Sequence, residues 1–365
     1  MTIGRRFVVA LTLVALLLGA PGTGLAKKNF VYVHDRSAGG GIYGWTLDKD
    51  GGLTSVAGSP FPLVDAGGSC TGNCQTMAYS TKRKILYTGG PTGVSGWTVN
   101  KDGTLTSVPG SPFSPGAGGE FRGTGVVQAG KRVFVYAASF NDGGVFVFEA
   151  DPDGVLTELA GSPFASGDGA TGLATNKKSV FVVNQTAGTI SSYVAEKDGT
   201  LTPAPGSPYT PVDVQSIYNV SPDSKGKVIY VSDGVDAVRA FEVEKKTARL
   251  TELDTSPFAA VAGGAGVLIT KKLLYAVSLE TADNAVQPFK IVKKGNLEAT
   301  GIVLNGQFGV ATFASDKGGK KMVFAGSDGV VTSRIDSKKD GSLTPGDVEG
   351  FIAPTNPTAA ALVKR

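Results

Sequence analysis

Histidine is almost missing from this sequence: His34 is the only one among 365 residues, beside two cysteines, two tryptophans and three methionines. A single His with Cys70 and Cys74 as the only thiols leaves a zinc centre short of ligands. Haem attachment needs Cys-x-x-Cys-His, and neither that spacing nor that His is present. There is no Gly-x-Ser-x-Gly elbow, no phosphate loop and no His–Glu zinc motif. Neither a metal nor a cofactor is expected. No stretch beyond the first 26 residues shows sustained apolar spacing at i, i+3, i+4 and i+7, so helices should be rare. Strong charge is absent too: 35 Lys+Arg stand against 31 Asp+Glu. That balance implies no nucleic-acid partner and no anionic membrane.

What is plentiful is glycine and proline, 52 and 19 residues, in a chain rich in Val, Thr, Phe and Tyr, a composition of short strands and turns. The first residues read as an export signal. Arg5 and Arg6 form a basic start, Phe7 to Leu18 an uncharged apolar run, and Gly24-Leu25-Ala26 the small residues a signal peptidase reads. The apolar run is short for a membrane span, which needs about 20 residues. Residues 1–26 are therefore expected to be a signal peptide and 27–365 a secreted or periplasmic domain. No second apolar run follows, so no membrane span is expected.

A repeat organises the rest. Trp45-Thr-Leu-Asp-Lys-Asp-Gly-Gly-Leu53 matches Trp97-Thr-Val-Asn-Lys-Asp-Gly-Thr-Leu105, and the unit returns at Phe148…Leu156, Tyr193…Leu201, Phe241…Leu250, Phe289…Leu297 and Arg334…Leu343. The last copy puts Arg334 in the aromatic's place. Successive leucines lie 52, 51, 45, 49, 47 and 46 residues apart, the length of a four-stranded propeller blade.

Each unit carries four strand signals, named a to d from the centre outward; in the second they run Gln75–Ser80, Lys84–Thr88, Val94–Val99 and Leu105–Val108. Strand b is β-branched and aromatic, as in Val133-Phe-Val-Tyr136 and Val228-Ile-Tyr-Val231, which reads as buried on both faces. Strand a is rich in small residues, as in Gly123-Thr-Gly-Val126, which suits the crowded centre of a ring. Asp-Gly pairs such as Asp102-Gly103 and Asp198-Gly199 supply the positive φ of a c–d hairpin. Gly58-Ser-Pro-Phe61 and its copies then follow strand d. The Pro lacks an N–H and should end the strand, and the aromatic should wedge between blades.

The domain begins at a strand b, Phe30–Val33, and ends at a strand a, Pro357–Val363. Joined, they complete one blade and leave no open sheet edge. The expected fold is all-β: a single seven-bladed β-propeller of four-stranded blades over residues 27–365, and a monomer.

Strand b endings such as Tyr230-Val-Ser-Asp233, Val182-Val-Asn184 and Tyr32-Val-His34, with the turn Ser221-Pro-Asp-Ser-Lys-Gly226, resemble the Tyr-Val-Thr-Asn type of the lactonase family of seven-bladed propellers, to which 6-phosphogluconolactonase belongs. The repeated Asp-Gly-Thr-Leu and Gly-Ser-Pro-Phe units are similar to those of its secreted bacterial members. The resemblance implies a His opening strand a of one blade, with Glu and Arg on the same face. Here Gln215 stands at that position and Gln75 at another blade's start. An amide does not titrate, so Gln215 is neither acid nor base.

Ligands are expected on the face made by the d–a and b–c connections. His34, Asp35 and Arg36 are placed in a b–c loop; Glu120, Arg122 and Asp213 near starts of strand a; Asp233 and Asp236 after a strand b. Of these, His34, Glu120 and Arg122 are the candidates for catalysis, and the others, with Gln75 and Gln215, for binding. Cys70 and Cys74, as the only thiols in an exported chain, are expected to form a small-loop disulfide. Asp48-Lys-Asp50-Gly51 and Asp151-Pro-Asp153-Gly154 lack the later ligands of a calcium loop and read as turns. Asn184-Gln-Thr186 has the form of a glycosylation acceptor. Two functions are weighed: a non-catalytic scaffold binding a small-molecule, carbohydrate or protein ligand, and a lactone hydrolase.

Overall fold

The computed structural model describes residues 29–364 apart from 36–39, 64–76, 116–118, 215, 235, 261–263, 279–284, 302–303, 306–309, 316–318, 327–328, 337–339 and 350–356. Seven antiparallel sheets, each with a four-stranded path, form the blades. In strand order a to d, blade one is Pro357–Lys364, Asn29–Asp35, Gly41–Leu47 and Leu53–Ser55. Blade two is Met77–Ser80, Ile85–Gly89, Val94–Val99 and Leu105–Ser107; blade three is Phe121–Ala129, Arg132–Ser139, Gly144–Ala150 and Leu156–Glu158. Blade four is Ala170–Thr175, Ser179–Asn184, Thr189–Ala195 and Leu201–Pro203; blade five is Val220–Pro222, Val228–Ser232, Ala237–Val243 and Leu250–Glu252. Blade six is Gly264–Thr270, Leu273–Ser278, Ala285–Ile291 and Leu297–Ala299; blade seven is Val310–Ser315, Lys321–Gly326, Gly329–Ile335 and Leu343–Glu349. Helix among the described residues is one short 3₁₀ turn, Lys293–Gly295.

A strand whose side chains are apolar on both faces cannot be satisfied by one neighbouring layer, so the sheets stack radially. Seven apolar cores result, each shared by two adjacent blades. Between blades three and four, Phe134, Tyr136, Val145 and Val147 meet Val180, Val182 and Tyr193. Phe134 is fully buried, a burial that stabilises by about 1.5–3 kcal/mol. The seven a strands follow one another in a closed ring of neighbours. Their small residues are required there: a Cβ added to Gly123 would lie 2.5 Å from the Thr171 carbonyl oxygen of the next blade.

The first and last described strands pair as the sequence implies. Phe30 pairs with Val363 and His34 with Ala359, so the last strand fills the inner place of the first blade.

The recurrent tyrosine of strand b has a defined task. Tyr32, Tyr87, Tyr136, Tyr230 and Tyr275 each donate a phenol hydrogen bond to the glycine carbonyl of the next blade's c–d hairpin, Gly103, Gly154, Gly199, Gly295 and Gly341, at 2.7–3.1 Å. Blades four and seven carry Phe181 and Val323 at that place, opposite Ser192 and Thr332 of strand c. There a strand c hydroxyl takes over: Ser192 donates to the Ala248 carbonyl at 3.0 Å and Thr332 to that of Gly51 at 2.6 Å. Every interface of the ring thus holds one such bond. Burial pushes the Tyr87, Tyr136, Tyr230 and Tyr275 phenols well above the ordinary tyrosine range, so they remain donors.

Two sequence expectations need correction. The Ser-Pro unit does not end pairing with strand c; after Pro60 the chain resumes it, with Phe61 opposite Ile42, and Phe164 and Phe258 repeat this in blades three and five. The Ser-Pro bonds at Pro60, Pro112, Pro163, Pro208 and Pro257 are cis. The serine supplies an acceptor that the Pro-interrupted ladder lacks: Ser59, Ser111, Ser162, Ser207 and Ser256 Oγ receive the strand c amides of Gly44, Gly96, Val147, Ser192 and Ala240 at 2.8–3.2 Å. The aromatic then wedges between blades as expected, Phe61 lying among residues of blades one and two. Second, Arg334 does not occupy the aromatic's place. Ile335 pairs with Leu343, which sets Ser333 inward, buried, and Arg334 outward, exposed. A longer hairpin before Leu343 shifted the sequence alignment by one residue.

Candidate channel-face site

In an antiparallel meander the b–c and d–a connections lie at one end of the strands and the a–b and c–d connections at the other. The first end carries the candidate side chains, and strand b delivers them. Its apolar residues are followed by polar ones that are still buried: His34 and Asp35 in blade one, Ser139 in three, Asn184 in four, Asp233 in five and Ser278 in six. His34 and Asp35 are therefore strand residues rather than loop residues, a correction to the sequence reading. His34 pairs with Ile42 on one side and Ala359 on the other, and Asp35 lies opposite Pro357 after a register shift. Asp35 also acts on a neighbour: burial first, and then its negative charge, push the Tyr43 phenol up.

Blade three presents the most defined cluster. Strand a begins at Phe121, and Arg122 N–H donates to the Glu120 carboxylate at 3.1 Å. The two side chains are only 6% and 15% exposed, so the pair is held largely out of water. The Arg122 guanidinium carbon also lies 3.4 Å from the centre of the Phe140 ring, a cation–π contact. Phe140 is fixed through its amide, which donates to the Glu120 carbonyl. Next to this, Ser139 Oγ donates to Asp142 at 2.5 Å.

Blade five holds a second ionic cluster that the sequence reading missed in part. Asp233 was expected; Arg239 and Glu252 were not. Arg239 approaches Asp233 at 3.8 Å and donates to Glu252 at 3.0 Å. Glu252 also accepts from Tyr209 of blade four at 3.3 Å and from Ser256 at 2.8 Å. Burial, followed by the Glu252 charge, raises the Tyr209 phenol. Arg239 alternates inward in a strand whose neighbours are apolar, an exception to the pattern that could have signalled it. Asp213 and Asp236 are exposed, and Asp213 has left-handed backbone at φ 56°.

Of the expected residues, then, Glu120 and Arg122 are brought together, and Asp233 is joined to Arg239 instead of another candidate. His34 and Asp35, Glu120 and Arg122, and Asp233 and Asp236 belong to three different blades. Arg36, Gln75, Gln215, Cys70 and Cys74, with residues 1–26, lie outside the described residues. Asn184 is fully buried, accepts from Ser166 and donates to Thr189 and Ser191. A glycan on its amide nitrogen is incompatible with that packing. The Asp-rich hairpins are turns: Asp48 accepts the Asp50 and Gly52 amides, and Asp151 those of Asp153 and Val155. Among the described residues no group of three His, Cys, Asp or Glu is placed to hold a metal.

What the face offers chemically is a fixed cation on an aromatic shelf, paired with a carboxylate, among buried amides and hydroxyls. Such a surface can orient a polar ligand through hydrogen bonds. Comparison with known proteins places this architecture. The family model described as lactonase, 7-bladed beta-propeller, matches residues 124–267, and the chain resembles that family. No curated protein matches. A provisionally named 6-phosphogluconolactonase of Bacteroides fragilis NCTC 9343 superposes with a TM-score of 0.73 at 17% identity, over 94% of this chain and 100% of that one. A Bacteroides uniformis protein of the same provisional name gives 0.73 at 17%, over 92% and 99%. The periplasmic gluconolactonase of Pseudomonas aeruginosa gives 0.68 at 14%, over 93% and 99%. At these identities the structural likeness establishes the fold. No helix among the described residues is long and apolar enough to cross a membrane.

Proposed function

We propose that this lactonase-like propeller is an exported, non-catalytic binding protein that takes its ligand on the channel face. The observation that carries the reading is the state of that face's best-defined cation. Arg122 is buried, engaged by Glu120 and stacked on Phe140, while Gln215 stands where the resemblance calls for a His. A group that must deliver or remove a proton near neutral pH is thus missing from that position. The ligand on this reading is a small molecule, a carbohydrate or a protein segment, bound through hydrogen bonds by the monomer. Export, with residues 1–26 as the signal and Cys70–Cys74 as a local disulfide, belongs to the same reading.

The second reading is a lactone hydrolase. It is favoured by the family resemblance and by the Arg122–Glu120 pair on the face where a lactone carbonyl would be polarised. The two separate in one experiment. Purified protein is assayed against glucono-lactone and its 6-phosphate beside Arg122→Lys and Arg122→Ala, with circular dichroism confirming that each is folded. Rates equal to spontaneous hydrolysis support the binding protein. A rate above it that falls with Arg122→Lys in a folded protein overturns that reading.

A further inference from the structure

The opposite end of the disc carries its own feature. Overall charge is close to balanced, but it is not evenly spread. The a–b turns of blades four, five and six each present a lysine pair: Lys177 and Lys178, Lys225 and Lys227, Lys271 and Lys272. The c–d hairpins of blades five and six add Lys245, Lys293 and Lys294. All nine are exposed, and none makes an ion pair among the described residues. They line two depressions of about 970 and 650 Å³ that share Asp223, Ser224, Lys225 and Lys227 and so form one groove across blade five. Its only acids are Asp223 and Glu242. The Asp223 carboxylate is occupied by the amides of Lys227 and Val228.

We propose that this groove docks a linear anionic polysaccharide. Three observations select that class. Unpaired ammonium groups repeated along a groove repel one another and are relieved by a chain of regularly spaced negative charges. The floor between them is aliphatic, made by Val228, Leu253, Ile291 and Val292, which suits the apolar faces of sugar rings. Neither an aromatic nor an arginine lines it, so it lacks the stacking platforms of single-stranded nucleic-acid sites and the apolar anchors that seat a protein at a membrane surface. Two of the lysines, Lys271 at φ 41° and Lys294 at φ 60°, hold left-handed backbone, where Gly or Asn is the ordinary choice.

The test is fluorescence anisotropy of a labelled oligogalacturonate titrated with the full-length protein. A groove variant, Lys225→Glu with Lys272→Glu and Lys293→Glu, is compared with a variant of equal charge change on the same end of the disc, Lys49→Glu with Lys101→Glu and Lys131→Glu. Saturable binding that weakens about tenfold or more in the first and less than about twofold in the second, and that falls with added salt, is the expected result. Equal loss in both variants, no binding by the native protein, or tighter groove-dependent binding of a single-stranded oligonucleotide or of phosphatidylglycerol vesicles overturns the proposal. The groove and the channel mouth lie at opposite ends of the strands, so this outcome is independent of the lactone assay.

Discussion

Gly199→Ala tests the packing of the ring at one atom. Gly199 ends the Asp-Gly hairpin of blade four with φ 97°, and its carbonyl receives the Tyr136 phenol of blade three at 3.1 Å. A methyl group here would lie 2.4 Å from Phe134 Cδ1 and 2.5 Å from Cε1. Phe134 is fully buried and cannot swing into solvent. Holding alanine at positive φ costs about 1–2 kcal/mol, and forcing a methyl into a packed interface about 1–3 kcal/mol more. The expected loss is therefore about 2–5 kcal/mol. The reference is Gly188→Ala: φ is 65°, and nothing lies within 4 Å of its added Cβ, so only the backbone cost of about 1–2 kcal/mol applies. Urea unfolding followed by tryptophan fluorescence gives both midpoints. If the two variants unfold within about 0.5 kcal/mol of each other, the close approach of hairpin and neighbouring blade has no energetic weight and the account of blade packing is wrong.

Tyr136→Phe keeps the ring and removes the phenol, leaving the Gly199 carbonyl without that donor; a loss of about 1–3 kcal/mol is expected by the same urea measurement, and no change would show that the inter-blade bond is incidental. Arg239→Ala removes the cation between the buried carboxylates of Asp233 and Glu252; a loss of about 3–5 kcal/mol is expected, partly recovered in the Arg239→Met, Glu252→Gln double variant, and an additive double loss would deny the coupling. Alkaline pH should loosen the ring: the folded-state phenols of Tyr87, Tyr136, Tyr230 and Tyr275 lie above their unfolded values because burial disfavours the charged form. Their contribution is complete below the unfolded value of about 10 and is lost as pH rises from there toward the folded-state values. Thermal midpoints across that range should fall, and the tyrosinate absorbance assigned to these four by difference against their single Tyr→Phe variants should appear only with unfolding; any of the four ionising at about 10 in the folded protein would contradict the burial.

The repeat carried most of the fold. Alternation of doubly apolar strands with Asp-Gly hairpins was enough to count the blades, to place strand b and to join residues 357–364 to residues 29–35, because each of these follows from local pattern and from the need to cover both faces of a sheet. Where the local pattern slipped, as in the longer hairpin before Leu343, the reading slipped by one residue and put Arg334 where Ser333 belongs. Prolines told the reader that a ladder was interrupted; they did not tell that Ser59 and its copies would supply the missing acceptor and let pairing resume.

The candidate site was legible only as a set of residues on one face. That His34 and Asp35 are buried strand residues, that Arg122 pairs with Glu120 over Phe140, and that Arg239 draws Asp233 and Glu252 together depend on how strand ends and loops lie in space, and no motif states that. The same holds for the lysine groove, whose members are drawn from residues 177 to 294 and whose charge disappears in the overall balance. The sequence by itself determined the unit, its number and its closure, because a blade is encoded within some fifty consecutive residues. Only the tertiary structure decided which unit's phenol meets which unit's carbonyl and which loops share a face, because those distances are set by the curvature of the ring and not by any stretch of chain.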